Sequence, residues 1–151
     1  MSKIAMISCG NVKNELNCSS FGCHQNFNAR TGGFAPYQNE QVYELVGTLS
    51  CTGCPTLVAP EKILNKVKPL VAMGNVDAIH FASCMLAVCP FVNKYKSVIE
   101  ENCPGVKVVL GTEDTGSPEE TRNLLEVFKG VVKKLLTQNK PDLMGEFKKM
   151  M

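Results

Sequence analysis

Four short apolar runs, at about residues 3–9, 43–50, 77–83 and 106–111, alternate along the chain with stretches of helical periodicity. Strands separated by helix-length connections pair in parallel through right-handed crossovers. The pattern predicts an α/β fold: a single three-layer domain with a small parallel sheet of about four strands, Rossmann-like or flavodoxin-like. At 151 residues the chain is long enough to bury one such core without disulfide staples. One domain over residues 1–151 is expected, with 137–151 a C-terminal extension after polar Thr137-Gln138-Asn139.

The helical stretches carry their own punctuation. Pro60-Glu61-Lys62 opens a segment with Ile63, Leu64, Val67, Leu70 and Val71 at helical spacing, stopped near Gly74. Pro69 inside it is expected to kink or shorten the helix. Pro90 begins another, with Phe91, Val92, Tyr95, Val98 and Ile99 facing inward and Cys103-Pro104-Gly105 closing it. Ser117-Pro118-Glu119-Glu120 combines an N-cap, a first-turn proline and two acidic residues, a helix start signal. Residues 19–40 are less regular, although Cys23 to Arg30 suits a short helix.

Seven of the eight cysteines gather where the apolar runs give out. Cys9 ends the first run, with Cys18 and Cys23 in the loop beyond. Cys51 and Cys54 end the second, and Cys84 and Cys89 the third. The carboxyl ends of parallel strands meet at one sheet edge, where sites are built. In a 2-1-3-4 strand order, Cys51, Cys9 and Cys84 end adjacent strands about 4.8 Å apart.

A multi-thiolate metal site is the natural use for such a group. Cys51-Thr52-Gly53-Cys54 lets both sulfurs face one ion or cluster, and its place between a strand end and a helix start favours the thiolate form. Cys84 and Cys89 form a looser pair, Cys18 and Cys23 can close over the site, and His24 adds a candidate nitrogen ligand. His80, within a strand, reads as a core or supporting histidine, and Cys103 as core.

Composition narrows the rest. A net charge of +2 with no dense Lys/Arg block argues against nucleic acid. No apolar run reaches the roughly 18–20 residues of a membrane span, and no secretory leader is recognisable at Met1. Reduced thiols in the cytoplasm are therefore expected in preference to four disulfides.

Taken together, these residues resemble the CGGC-domain family, small proteins named for a central Cys-Gly-Gly-Cys, whose numerous cysteines imply metal binding. The resemblance covers most of residues 3–113: Cys9-Gly10, Cys18, Gly22-Cys23, Leu45-Val46-Gly47, Cys51-Thr52-Gly53-Cys54-Pro55, Ile79 through Cys84, Cys89-Pro90 and Gly111-Thr112. Thr52 replaces the first central glycine. Glu113 stands where many relatives would carry histidine, so any role of that histidine is missing here or passes to Glu113.

The leading expectation is a metal-binding protein holding zinc or an iron–sulfur cluster, with Cys51, Cys54, Cys84 and Cys89 as core ligands and Cys9, Cys18, Cys23 and His24 as further ones. The alternative is a Cys-x-x-Cys thiol oxidoreductase, with Cys51 attacking and Cys54 resolving. An anion-loop enzyme of the arsenate-reductase or phosphatase type is disfavoured, because no arginine follows Cys9 in Gly10-Asn11-Val12-Lys13-Asn14-Glu15. Nucleotide-binding glycine fingerprints are absent. The partner expected is a metal ion or cluster. The sequence does not specify a protein partner or an oligomeric state.

Overall fold

A computed structural model describes residues 2–54, 56–114 and Glu126. Its elements lie in the unit Met1–Thr115; the helix expected from Ser117 and the extension 137–151 lie outside the described residues. Strands β1 (Ser2–Ser8), β2 (Tyr43–Ser50), β3 (Ala78–Phe81) and β4 (Lys107–Leu110) form one sheet in the order β2-β1-β3-β4. Every pairing is parallel. This is the α/β architecture the sequence implies, in the 2-1-3-4 order under which Cys51, Cys9 and Cys84 end adjacent strands.

The helices are α1 (Gly10–Glu15), α2 (Phe21–Ala29), α3 (Ala59–Gly74), α4 (Ser83–Val88) and α5 (Val92–Asn102), with a 3-10 turn at Gly32–Tyr37. Pro69 lies inside α3 without shortening it. Two short helices, α1 and α4, escaped the periodicity because six residues give less than two turns. α4 takes up the segment between Cys84 and Cys89, so the next helix starts at Val92 and not at Pro90.

Successive residues of a strand face opposite sides, and β1 divides its buried side chains accordingly. Ala5, Ile7 and Cys9 join Ile79, Phe81 and Val108 in a core completed by Ile63, Leu64 and Val67 of α3 and Tyr95 and Ile99 of α5. Ile4 and Met6 join Ala78 in a second core with Phe27 of α2 and Phe34 of the 3-10 turn. Helical elements thus cover both faces of the sheet.

On the second face His80 is fully buried. Its Nδ1 lies 3.2 Å from the Gly111 carbonyl, which can only accept, so Nε2 accepts the Tyr37 hydroxyl at 3.0 Å. Phe34 packs on the ring with centroids 4.3 Å apart. Burial holds the imidazole down at a pKa of about 4, opposed by the Gly111 bond and assisted by Lys107. His80 is a satisfied neutral core residue that ties β3 to the end of β4.

Candidate metal centre

The C-terminal edge of the sheet is in close register. Ser8 pairs with Ser50, the Cys51 amide donates to the Ser8 carbonyl at 2.8 Å, and the Ala82 amide donates to Ile7 at 2.8 Å. Cys9 therefore emerges from the central strand between the chain segments carrying Cys51 and Cys84. Its two successive amides are put to use: the Cys9 N–H donates to Cys84 Sγ at 3.3 Å, and the Gly10 N–H donates to Cys51 Sγ at 3.1 Å. Each contact ties a sulfur to the main chain at the end of β1.

The Cys51–Cys54 turn is held from the start of α1. Asn11 accepts from the Cys54 amide and donates to the Cys54 carbonyl, both at 3.1 Å. Gly53 adopts φ 78°, a conformation that glycine reaches without steric cost. Gly10 is equally constrained by space, since a Cβ there would stand 2.9 Å from the Cys51 carbonyl oxygen and 3.1 Å from Gly53 N. The α3 helix begins only at Ala59, with Val58 as its cap residue. The thiols of this turn are thus supported by the first residues of α1, and not by the α3 N-terminus that the sequence suggests.

The thiols divide into two neighbourhoods. Cys9, Cys51, Cys54 and Cys89 line one cavity of about 390 Å³, walled also by Val12, Phe91 and Tyr95. Cys9 and Cys51 are buried, Cys89 is half-buried and Cys54 is exposed. Burial pushes the Cys89 thiol up; the Phe91 amide lowers it, and the charges of Cys51, Cys54 and Cys9 raise it again. Cys84 belongs to the other neighbourhood. Burial raises it, the Cys9 amide lowers it, and Cys9, Cys23 and Cys18 raise it. Cys9 is the neighbour common to both.

Beyond Cys84, Cys23 Sγ lies 3.2 Å from the hydroxyl of Thr112, which is fully buried. That hydroxyl accepts the Ser83 amide at 3.3 Å, leaving its proton available for the sulfur. Burial raises the Cys23 thiol, the Thr112 bond lowers it, and Glu113 and Cys18 raise it. The Glu113 carboxylate rests against Gly22, where a Cβ would come within 2.6 Å of Oε1. Cys18 is exposed and His24 is half-buried on α2; neither lines the thiol cavity. Cys103 is buried in the α3–α5 core.

Sequence reasoning named Gly10, Ser83 and Thr112 within the family resemblance and Asn11 in disfavouring an anion loop, and gave none of them a role at the site. Only the Gly-Asn pair directly after a strand-end cysteine, a common turn composition, signalled that the loop there is built to approach another backbone.

Among the described residues, no three His, Cys, Asp or Glu side chains converge closely enough to hold one metal ion. The donors are right in kind for zinc or an iron–sulfur cluster, both of which take cysteine thiolates.

The fold and its edge define a cysteine-rich parallel α/β domain with its thiols at the carboxyl ends of the strands. The model of the CGGC domain matches residues 3–113, and the chain belongs to that family. An uncharacterized protein of Methanocaldococcus jannaschii, MJ0582, is 31% identical over 119 residues, covering 73% of this chain and 85% of the relative. A second from the same organism, MJ0766, is 33% identical over 70 residues, covering 44% of this chain and 97% of the relative. No solved structure matches the chain.

Proposed function

We propose that this protein holds a thiolate-ligated metal centre in the cavity at the carboxyl edge of its sheet, with Cys9, Cys51, Cys54 and Cys89 as ligands. One observation carries the reading: four cysteines from three separate chain segments line the same cavity. Cys84, the other strand-end thiol, supports the site from behind through the Cys9 amide. Cys18, Cys23 and His24 belong to a flanking set with no ligand role in this reading.

We take the centre to be an iron–sulfur cluster and not a single zinc ion. Four thiolates on one zinc, with bonds of about 2.3 Å, stand roughly 3.8 Å apart, a convergence that would gather three donors at one point. No such trio occurs among the described residues, whereas a cluster accepts one thiolate at each of several irons spread around it. The apolar walls from Val12, Phe91 and Tyr95 would limit water at the centre. The chain's own contribution is to fix the donors in place, through the Gly10 amide on the Cys51 sulfur and the Asn11 clamp on the Cys54 peptide.

Anaerobic purification followed by iron, zinc and acid-labile sulfide analysis, with visible absorption, tests this. Iron and sulfide in matching amounts with a broad charge-transfer band are expected. Protein that binds neither iron nor zinc after anaerobic reconstitution would refute the metal reading.

One observation favours the dithiol alternative in modified form. Cys51 is buried and Cys54 exposed, so in an oxidoreductase Cys54 would attack and Cys51 resolve, the reverse of the order expected from the sequence.

A further inference from the structure

Beside the thiol cavity, and sharing Cys54, Phe91 and Tyr95 with it, lies a second and larger cavity of about 650 Å³. That volume is in the range of small-molecule sites. One wall is the start of α3, which contributes Glu61, and the other is the first turns of α5, which contribute Lys94. These are the two charged side chains that line the cavity, and neither forms an ion pair with another described residue. Val58, also on the wall, is a β-branched residue at φ 49°, a conformation that costs free energy and recurs at binding sites.

The groove therefore offers four chemical features together: an exposed thiol, a cation and a carboxylate that pair with no described residue, and an aromatic flank. We infer that it binds a low-molecular-weight amino-acid thiol or its disulfide, with the ligand carboxylate on Lys94, its ammonium group on Glu61 and its sulfur at Cys54. A purely anionic ligand would leave Glu61 opposed, and a purely cationic one would leave Lys94 opposed. A zwitterion satisfies both, and the thiol at the shared end selects sulfur. The inference goes beyond the metal reading and holds for the metal-free protein.

With a disulfide ligand the site supports one exchange step. The Cys54 thiolate attacks one sulfur of the disulfide; a Cys54–ligand S–S bond forms and the ligand's own S–S bond breaks. Cys54 sulfur is oxidised, the departing sulfur is reduced, and the departing thiolate takes up the proton that Cys54 lost.

The test uses the full chain, metal-free, with cystine as probe and peptide mass spectrometry as readout. Modification is expected first at Cys54, with a rate that saturates in cystine. Cystamine, which lacks the carboxylates, and dithiodipropionate, which lacks the ammonium groups, should each react about tenfold more slowly at low concentration, the loss of one charged contact. Lys94→Gln should erase the preference for cystine over cystamine, and Glu61→Gln the preference over dithiodipropionate. Both side chains are exposed, so the substitutions leave folding intact. Rates linear in concentration and unchanged by either substitution, or first modification at another cysteine, would overturn the inference. Failure here with a bound cluster would leave the metal reading standing, and the converse result would leave the groove standing.

Discussion

The main-chain amide of Gly10 donates to the sulfur of Cys51 at 3.1 Å, joining the end of the central strand to the first thiol of the Cys-x-x-Cys turn. The contact depends on close approach, because Gly10 has no side chain to hold the two backbones apart. Gly10→Ala would place a Cβ 2.9 Å from the Cys51 carbonyl oxygen. The expected outcome is a stability loss of about 1–3 kcal/mol from overpacking, together with a larger fractional loss of bound metal. Denaturant midpoints and metal-to-protein ratios measured on the same preparations separate the two effects. Normal metal content in Gly10→Ala would show that the amide contact does not position Cys51.

Asn11 clamps the Cys54 peptide from both sides. Asn11→Ala removes two partly solvated hydrogen bonds, at a cost of about 1 kcal/mol, and frees the turn. Alkylation of Cys54 in metal-free protein should then accelerate, while that of buried Cys103 should not. Stopped-flow labelling with peptide mapping reads both rates, and equal acceleration at Cys103 would indicate global loosening.

His80 makes stability depend on pH. Its folded pKa of about 4 lies below its usual value of 6.5 because burial penalises the charged ring. The unfolded chain therefore binds more protons between those two values. Stability from this group is complete above about pH 6.5, falls as the pH drops through the window to about 4, and levels off below it. The full loss is roughly 3 kcal/mol. His80→Phe should remove that part of the slope, leaving a flatter stability profile between pH 6.5 and 4 in urea melts. An unchanged slope would mean that His80 is accessible to protons in the folded state.

The sheet was legible from the sequence because its strands are continuous apolar runs bounded by turn residues. Their order was a supposition, the 2-1-3-4 arrangement under which the cysteine-bearing ends stand side by side. The short helices were not legible. Gly10–Glu15 has too few turns to show a periodicity, and Ser83–Val88 looks like the end of a strand. The site was legible at the level of which thiols share an edge. Its division was not, because whether Cys84 faces the cavity or the Cys23 side depends on which way the chain turns after β3. Thr112 was legible only as part of the Gly111-Thr112 match; its bonds to Cys23 of α2 and to the Ser83 amide after β3 join segments distant in sequence.

A serine scan of all eight cysteines under anaerobic iron and sulfide reconstitution bears most directly on the metal centre. Iron content and the visible band should fall sharply for Cys9→Ser, Cys51→Ser, Cys54→Ser and Cys89→Ser. They should be largely retained for Cys18→Ser, Cys23→Ser, Cys84→Ser and Cys103→Ser, with circular dichroism confirming the fold in each. Retention of iron in the first four, or equal loss across all eight, would contradict a centre held by the thiols of the cavity.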